Sequence, residues 1–218
     1  ARKIRSSISA RFCSKLMNMS VSHQNSIHRW KLVSAVRQAT RQMPAPWPGA
    51  FFLTDPKRVP DPLAIVPTLP PGTGIIYRHF GAHDREAVAR KLRRATLQTG
   101  APFLTANDPE LAMTVKADGV HWPEAEAHKA RKWRGRFFFQ TQSAHSPKAL
   151  REAVCDGVLF STVFPSRSPS AGRAIGAIRF RQLANAANLK IYALGGASGA
   201  TAGQVTQSGG FAAIDGFI

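Results

Sequence analysis

The chain has 218 residues, 44% of them apolar, and a formal charge of +18 from 30 Lys and Arg against 12 Asp and Glu. That is enough apolar material for a sizeable core, either one domain of α/β-barrel size or two small ones. With no run of about 18 apolar residues the sequence excludes a membrane-spanning helix, and two cysteines, Cys13 and Cys155, point to a reducing, cytoplasmic setting without a disulfide framework.

The charge is unevenly spread. Residues 1–42 hold nine of the basic residues and none of the acidic ones. Residues 1–25, rich in Ser and Arg, read as a basic leader without stable structure: a transit peptide, an expression remnant or an over-extended start ahead of Met17 or Met19. Residues 26–218 read as a single domain. Arg29 to Gln42 has helical spacing (Trp30, Leu32, Val33, Val36) and could plug one end of a barrel.

Strand and helix signals then alternate. Gly49 to Thr54 is a first strand ended by Asp55-Pro56, and a short segment, Asp61 to Pro67, precedes the Pro-Pro-Gly turn at 70–72. Gly74 to Tyr77 is a second strand, and Asp84 is expected to cap a helix running to Thr99. Pro102 to Thr105 is a third strand, with Asp108-Pro109 opening a helix to Val115. Gly119 to His121 is a short fourth strand, followed by a predicted helix from Ala125 to Trp133. Arg136 to Gln142 is a fifth strand, and Ser146-Pro147 starts a helix to Val154. From Asp156 to Gly196 the pattern is a strand (Gly157 to Phe160), a Ser, Pro and Gly loop, an amphipathic run to Asn188, and a strand (Lys190 to Leu194) closed by Gly195-Gly196. This is the pattern of a parallel βαβ crossover. Ala200 to Gln207 reads as a modest helix and Phe211 to Ile214 as an eighth strand, with no helical pattern after it. Eight strands separated by helices predict an α/β fold, a TIM (β/α)8 barrel with eight parallel strands and an N-terminal helix.

Barrel active sites gather at the carboxyl ends of the strands. The residues there are Asp55, Arg78 and His79, Asn107 and Asp108, His121 to Glu126, Ser143 and His145, Ser166 to Ser168, Gly195 and Gly196, and Ile214 and Asp215. Oxygen ligands such as Asp108, Glu126 and Asp118 suit a hard cation like Mg²⁺, although Asp108 before Pro109 equally suits a helix cap. Arg78 suits bidentate phosphate contacts. The scattered His and Cys disfavour zinc.

Five stretches in register, LTANDPELAMTVKADGVHWPE (104–124), QSAHSPKAL (142–150), GVLFSTVFPSRS (157–168), YALGG (192–196) and GGFAAI (209–214), resemble the thiamine phosphate synthase superfamily over about residues 50–218. The resemblance implies a TIM barrel of thiamine biosynthesis that joins hydroxymethylpyrimidine pyrophosphate to thiazole phosphate, with Mg²⁺ assisting release of pyrophosphate. It implies that Asn107 and Arg78 contact pyrophosphate and that Asp108 and Glu126 hold the metal. Ser143 would face the pyrimidine. Ser166 and Ser168, with the backbone of Gly195, Gly196 and Ile214, would take the thiazole phosphate.

The chain departs from the family pattern. Ile76 and Phe80 stand where the family has Gln and Lys, and Pro169 where it has another Lys; Asp215 replaces a serine and would repel phosphate, while Arg167 or Arg173 could replace a lost cation. Two alternatives stay open. A sister branch of thiazole tautomerases would use His145 as a proton carrier, and a catalytically weakened barrel would merely bind thiazole phosphate. The basic runs at 90–94 and 128–136 could serve a nucleic-acid surface, but solvated outer helices explain them more simply. No membrane partner is expected, and homo-oligomerisation is left open.

Overall fold

The computed structural model describes residues 24–168 and 171–218. Its eight parallel strands close into a barrel in sequence order. They are β1 (Ala50–Leu53), β2 (Thr73–Tyr77), β3 (Phe103–Ala106), β4 (Gly119–Trp122), β5 (Phe139–Ala144), β6 (Gly157–Ser161), β7 (Lys190–Leu194) and β8 (Gly210–Ala213). Helices α1 (24–42), α2 (Pro62–Ile65), α3 (Arg85–Thr99), α4 (Pro109–Val115), α5 (Pro147–Arg151) and α6 (Gly176–Ala186) surround them. The strands are short apolar runs buried on both faces, as parallel barrel strands must be. Phe51, Ile75, Leu104, Leu159, Tyr192 and Phe211 are wholly enclosed. None of the described helices is long and apolar enough to cross a membrane.

The expected end plug is not α1. Gln38 Oε1 accepts a hydrogen bond from Thr206 Oγ1 at 2.8 Å. Thr40 fills the space left by Gly49 and Gly72, and the His28 carbonyl fills that left by Gly199. These contacts run from the carboxyl side of β7 to the amino ends of β1 and β2, so α1 lies along the outside of the β8–β1 seam. Trp47 is the plug. Its ring fills the space that a Cβ on Gly157 would need, meets Phe139 edge-on at 5.0 Å and lies under Lys190 Nζ at 5.6 Å. Those three residues are the first of β6, β5 and β7.

Several helices differ from expectation for local reasons. Asp84 makes no side-chain cap to α3. The segment after β4 is a 3₁₀ helix, Glu124–Trp133, whose buried Ala127 and Ala130 are three residues apart, the 3₁₀ repeat. Helix α5 stops at Arg151 because Gln142 Oε1 takes the N–H groups of Val154 and Cys155. Only the turn Ala202–Gln204 forms in the predicted helix at 200–207, because Ser198 and Thr201 bond each other and nearby backbone instead. Strand β5 runs from Phe139 to Ala144 rather than from Arg136 to Gln142, so Ser143 belongs to the strand. Cys155 is buried, and burial with the nearby Asp156 charge pushes its thiol up to about 12. Cys13 lies outside the described residues, as does most of the leader. In the basic run at 90–94, Arg90 pairs with Glu86 and Arg93 with Asp118, while Leu92 is core.

If the indole of Trp47 closes the barrel, Trp47→Ala should cost about 3 kcal/mol or more of unfolding free energy. The urea midpoint should fall with an unchanged slope. An unchanged midpoint would show that the loop backbone, not the ring, seals this end.

Candidate active site

A cavity of ≈ 610 Å³ opens at the carboxyl ends of the strands. Of the residues expected at the site, it is lined by Arg78, Ser143, His145, Ser166, Ser168, Gly195, Gly196, Ile214 and Asp215. A larger groove of ≈ 1030 Å³ opens at the opposite end, but its walls are mainly proline and apolar side chains, and its charged groups, Arg93 and Asp118, neutralise each other. Convergent polar groups mark the smaller cavity as the candidate site.

Arg78 leaves the end of β2, its backbone N–H held by Thr54 Oγ1 at 2.8 Å. Among the described residues its guanidinium has no ion-pair or hydrogen-bond partner. Burial lowers its pKa, opposed by the charge of Asp55 and assisted by that of Arg58. A half-buried cation that faces a cavity with no acid in contact is suited to an anion. Arg58, from the loop after β1, shares the lining. It pairs with Asp55 and Asp215, each at 3.2 Å. Asp215 is therefore not the bare repelling carboxylate expected from the sequence. Burial would raise the Asp55 carboxyl, but the hydrogen bonds and charge of Arg58, with the Lys57 N–H, bring it below the ordinary range.

His121, at the third position of β4, is buried, with Nδ1 2.9 Å from Thr141 Oγ1 and Nε2 3.1 Å from Ser143 Oγ. Burial, reinforced by the Arg78 charge, lowers its pKa to about 3. It is a neutral imidazole that fixes two hydroxyls, Ser143 among them. His145 sits on the rim with Nδ1 2.8 Å from Glu124 Oε2, which also accepts the His145 N–H at 2.7 Å. His79 turns away from the cavity, buried beside the Tyr77 ring at 5.1 Å.

Asn107, Asp108 and Glu126 do not line the cavity. Asn107 is exposed and adopts φ 51°, with its N–H donating to the His121 carbonyl. Asp108 Oδ1 accepts the Leu111 N–H as the α4 cap, and Oδ2 takes Arg85 Nη1 at 2.6 Å. Glu126 is ion-paired to Lys129. Asp118 stands at the opposite end of the barrel, held by both Arg93 Nη atoms and the Phe103 N–H. Among the described residues no three acid, His or Cys groups converge. Mg²⁺ needs near-octahedral oxygens and carboxylate charge, and here that charge is already met by Arg85 and Lys129. The arrangement does not fit the ion.

The two glycines after β7 are fixed by packing as well as by the cavity. Both have positive φ, 90° and 63°. A Cβ on Gly195 would meet Thr162, and one on Gly196 would lie 2.3 Å from the Pro165 carbonyl. They let the β6 loop, which carries Ser166 and Ser168, close over the mouth. Of the departures from the expected pattern, Ile76 is core, Phe80 lines the cavity under Arg85 at 5.4 Å, and Pro169 lies outside the described residues. Arg167 lines the cavity and Arg173 does not. Sequence reasoning missed Arg58, and it included Glu124 only within the run 121–126, without its tie to His145. Arg58 follows the strand-end Asp55 by three positions, a usable local signal, whereas its tie to Asp215 spans 157 residues.

Comparison with known proteins agrees with the fold. Residues 68–217 match the model of the family described as thiamine monophosphate synthase. The chain is 32% identical over 132 residues to the thiamine-phosphate synthase of Geobacillus kaustophilus, covering 58% of this chain and 60% of that one. With the thiamine-phosphate synthase of Chloroflexus aurantiacus it shares 30% identity over 145 residues, 63% of this chain and 67% of the relative. The match thus spans about three-fifths of the length of the first relative. A thiamine phosphate pyrophosphorylase from Pyrococcus furiosus superposes with a TM-score of 0.67 at 21% identity, covering 82% of this chain and 88% of that one. At that identity the likeness is one of fold.

The buried imidazole makes stability depend on pH. The unfolded chain takes up a proton near 6.5 and the folded one only near 3. The stability tied to neutral His121 is therefore complete above pH 6.5 and is lost as pH falls from 6.5 towards 3. The loss is at most about 1.4 kcal/mol per pH unit. Urea unfolding between pH 7 and 4 should show a shallower loss for His121→Gln than for the unsubstituted chain. Parallel slopes would show that other groups govern the acid limb.

Proposed function

The chain belongs to the thiamine monophosphate synthase family, and we propose that it joins hydroxymethylpyrimidine pyrophosphate to thiazole phosphate. The observation that carries this reading is the unpaired, half-buried guanidinium of Arg78 facing the mouth cavity. In the reaction the bond from the pyrimidine methylene to pyrophosphate breaks, and the electron pair leaves with the pyrophosphate. The thiazole nitrogen then forms a bond to the methylene carbon.

A leaving group that gains charge needs a preorganised cation, and Arg78 supplies one in a poorly solvated position. Asn107, beside the mouth, is assigned a second pyrophosphate contact. Ser143, held by neutral His121, faces the pyrimidine as a fixed hydroxyl. Ser166 and Ser168, with the backbone of Gly195, Gly196 and Ile214, take the thiazole phosphate. His145, oriented by Glu124, is assigned a proton-carrying role at the rim, outside the bond-breaking and bond-forming steps. No step is routed through Asp108 or Glu126, whose charges are already matched.

Incubation with both substrates and Mg²⁺ should release pyrophosphate, and Arg78→Gln should lower kcat/KM by about 10²–10³ without altering the thermal midpoint. Phe80→Lys, which restores a cation to the mouth, should raise turnover. Absence of pyrophosphate release from the unsubstituted protein would end this reading.

A further inference from the structure

The mouth holds a second guanidinium whose pairing is uneven. Arg58 donates through Nη2 to Asp55 Oδ2 at 3.2 Å and through Nη1 to the two Asp215 oxygens at 3.2 and 3.5 Å. Asp55 is well anchored. Its other oxygen accepts the N–H groups of Lys57 and Arg58, each at 3.0 Å, and its side chain is 19% exposed. The Asp215 side chain is 58% exposed and, among the described residues, has no other hydrogen bond. Elsewhere in the molecule comparable arginine pairs close to 2.6 and 2.7 Å. At the same closest distance, the Asp215 contact is thus the wetter and less supported half of the Arg58 network, and exposed pairs of this kind are worth little. A guanidinium has five N–H donors, and the bonds named here leave some of them available toward the cavity.

We propose that Arg58 is an anion-binding residue of this cavity and that Asp215 is its exchangeable partner, which an incoming phosphate group displaces. Asp55 keeps the guanidinium in place when Asp215 lets go, so the cation does not have to be reordered on binding. Asp215 then lowers anion affinity twice, by occupying Arg58 and by placing a negative charge beside the phosphate. This rests on the reading that the cavity takes phosphorylated ligands. It adds to it a binding residue on the loop after β1 and a residue at the end of β8 that tunes affinity.

The test is calorimetric binding of inorganic pyrophosphate and inorganic phosphate to the full chain, with thermal midpoints measured alongside. Asp215→Asn should bind at least one of these anions about three- to fivefold more tightly, the scale of an exposed ion pair. Arg58→Gln should bind it about tenfold more weakly, the scale of one charge-assisted hydrogen bond. Arg58→Lys, which keeps the charge and loses the fork, should fall between the two. A merely structural strap predicts otherwise: both Arg58→Gln and Asp215→Asn would lower the thermal midpoint, and neither would tighten binding. Unchanged or weaker anion binding by Asp215→Asn overturns the proposal, as does failure of the unsubstituted protein to bind either anion. The synthase reading is judged separately by pyrophosphate release from the two substrates. Tight anion binding with the expected variant pattern but no turnover would leave Arg58 standing and remove the synthase.

Discussion

Closure of the sheet at the β8–β1 seam is the constraint on which the rest depends. Ala50, Phe51 and Phe52 pair with Phe211, Ala212 and Ala213, and only with that ladder made does an open sheet become a barrel without edges. The seam demands close approach: a Cβ on Gly210 would strike the Tyr192 ring and lie 2.7 Å from the Gly49 carbonyl. Helix α1 covers the seam from outside, and the Tyr192 hydroxyl ties β7 to the Pro48 carbonyl at 2.8 Å. At the mouth the same seam is crossed by Arg58 and Asp215. Residues far apart in sequence meet there because the ring is closed.

Much of this was legible in the sequence because barrel strands are short, apolar and regularly interrupted. The strand from Lys190 to Leu194 is found as read, and the others lie within a few residues. What the sequence hid were decisions made by single side chains across the barrel. Gln140 accepts from the Trp122 indole and donates to the Ala130 carbonyl, a contact made by the 3₁₀ turn after β4. Gln142 draws Val154 and Cys155 out of a helix that propensity alone would continue. No periodicity in the intervening residues announces either contact. The helix at 24–42 is a subtler case, since amphipathic spacing says that a face is buried without saying against what.

The site shows the same division. Strand ends were readable, so the residues on them were too, and Arg78, Ser143, His145, Ser166, Ser168, Gly195 and Gly196 do line one cavity. Asp108 was ambiguous for a physical reason: a carboxylate before a proline at a helix start suits a cap and a metal ligand alike. The resolution depends on Arg85, whose guanidinium bonds both Asp108 Oδ2 and the Ala106 carbonyl. Pairing partners decide what an acid can do, and partners are a property of the fold.

That rule reverses the first impression given by the charge. Thirty Lys and Arg suggest a binder of polyanions, yet several part-buried arginines are committed: Arg85 to Asp108, Arg93 to Asp118 and Arg58 to two acids. Exposed cations are screened and exchange their counter-ions readily, so each contributes little to a specific site. A guanidinium that is partly desolvated and unpaired interacts more strongly with an anion, because the surroundings that weaken its hydration also weaken screening. Arg78 meets that description at the place where the strands deliver hydroxyls, a fixed imidazole and glycine backbone. A desolvated cation without a contacting acid, rather than the surplus of solvated ones, is what sets this cavity apart among the described residues.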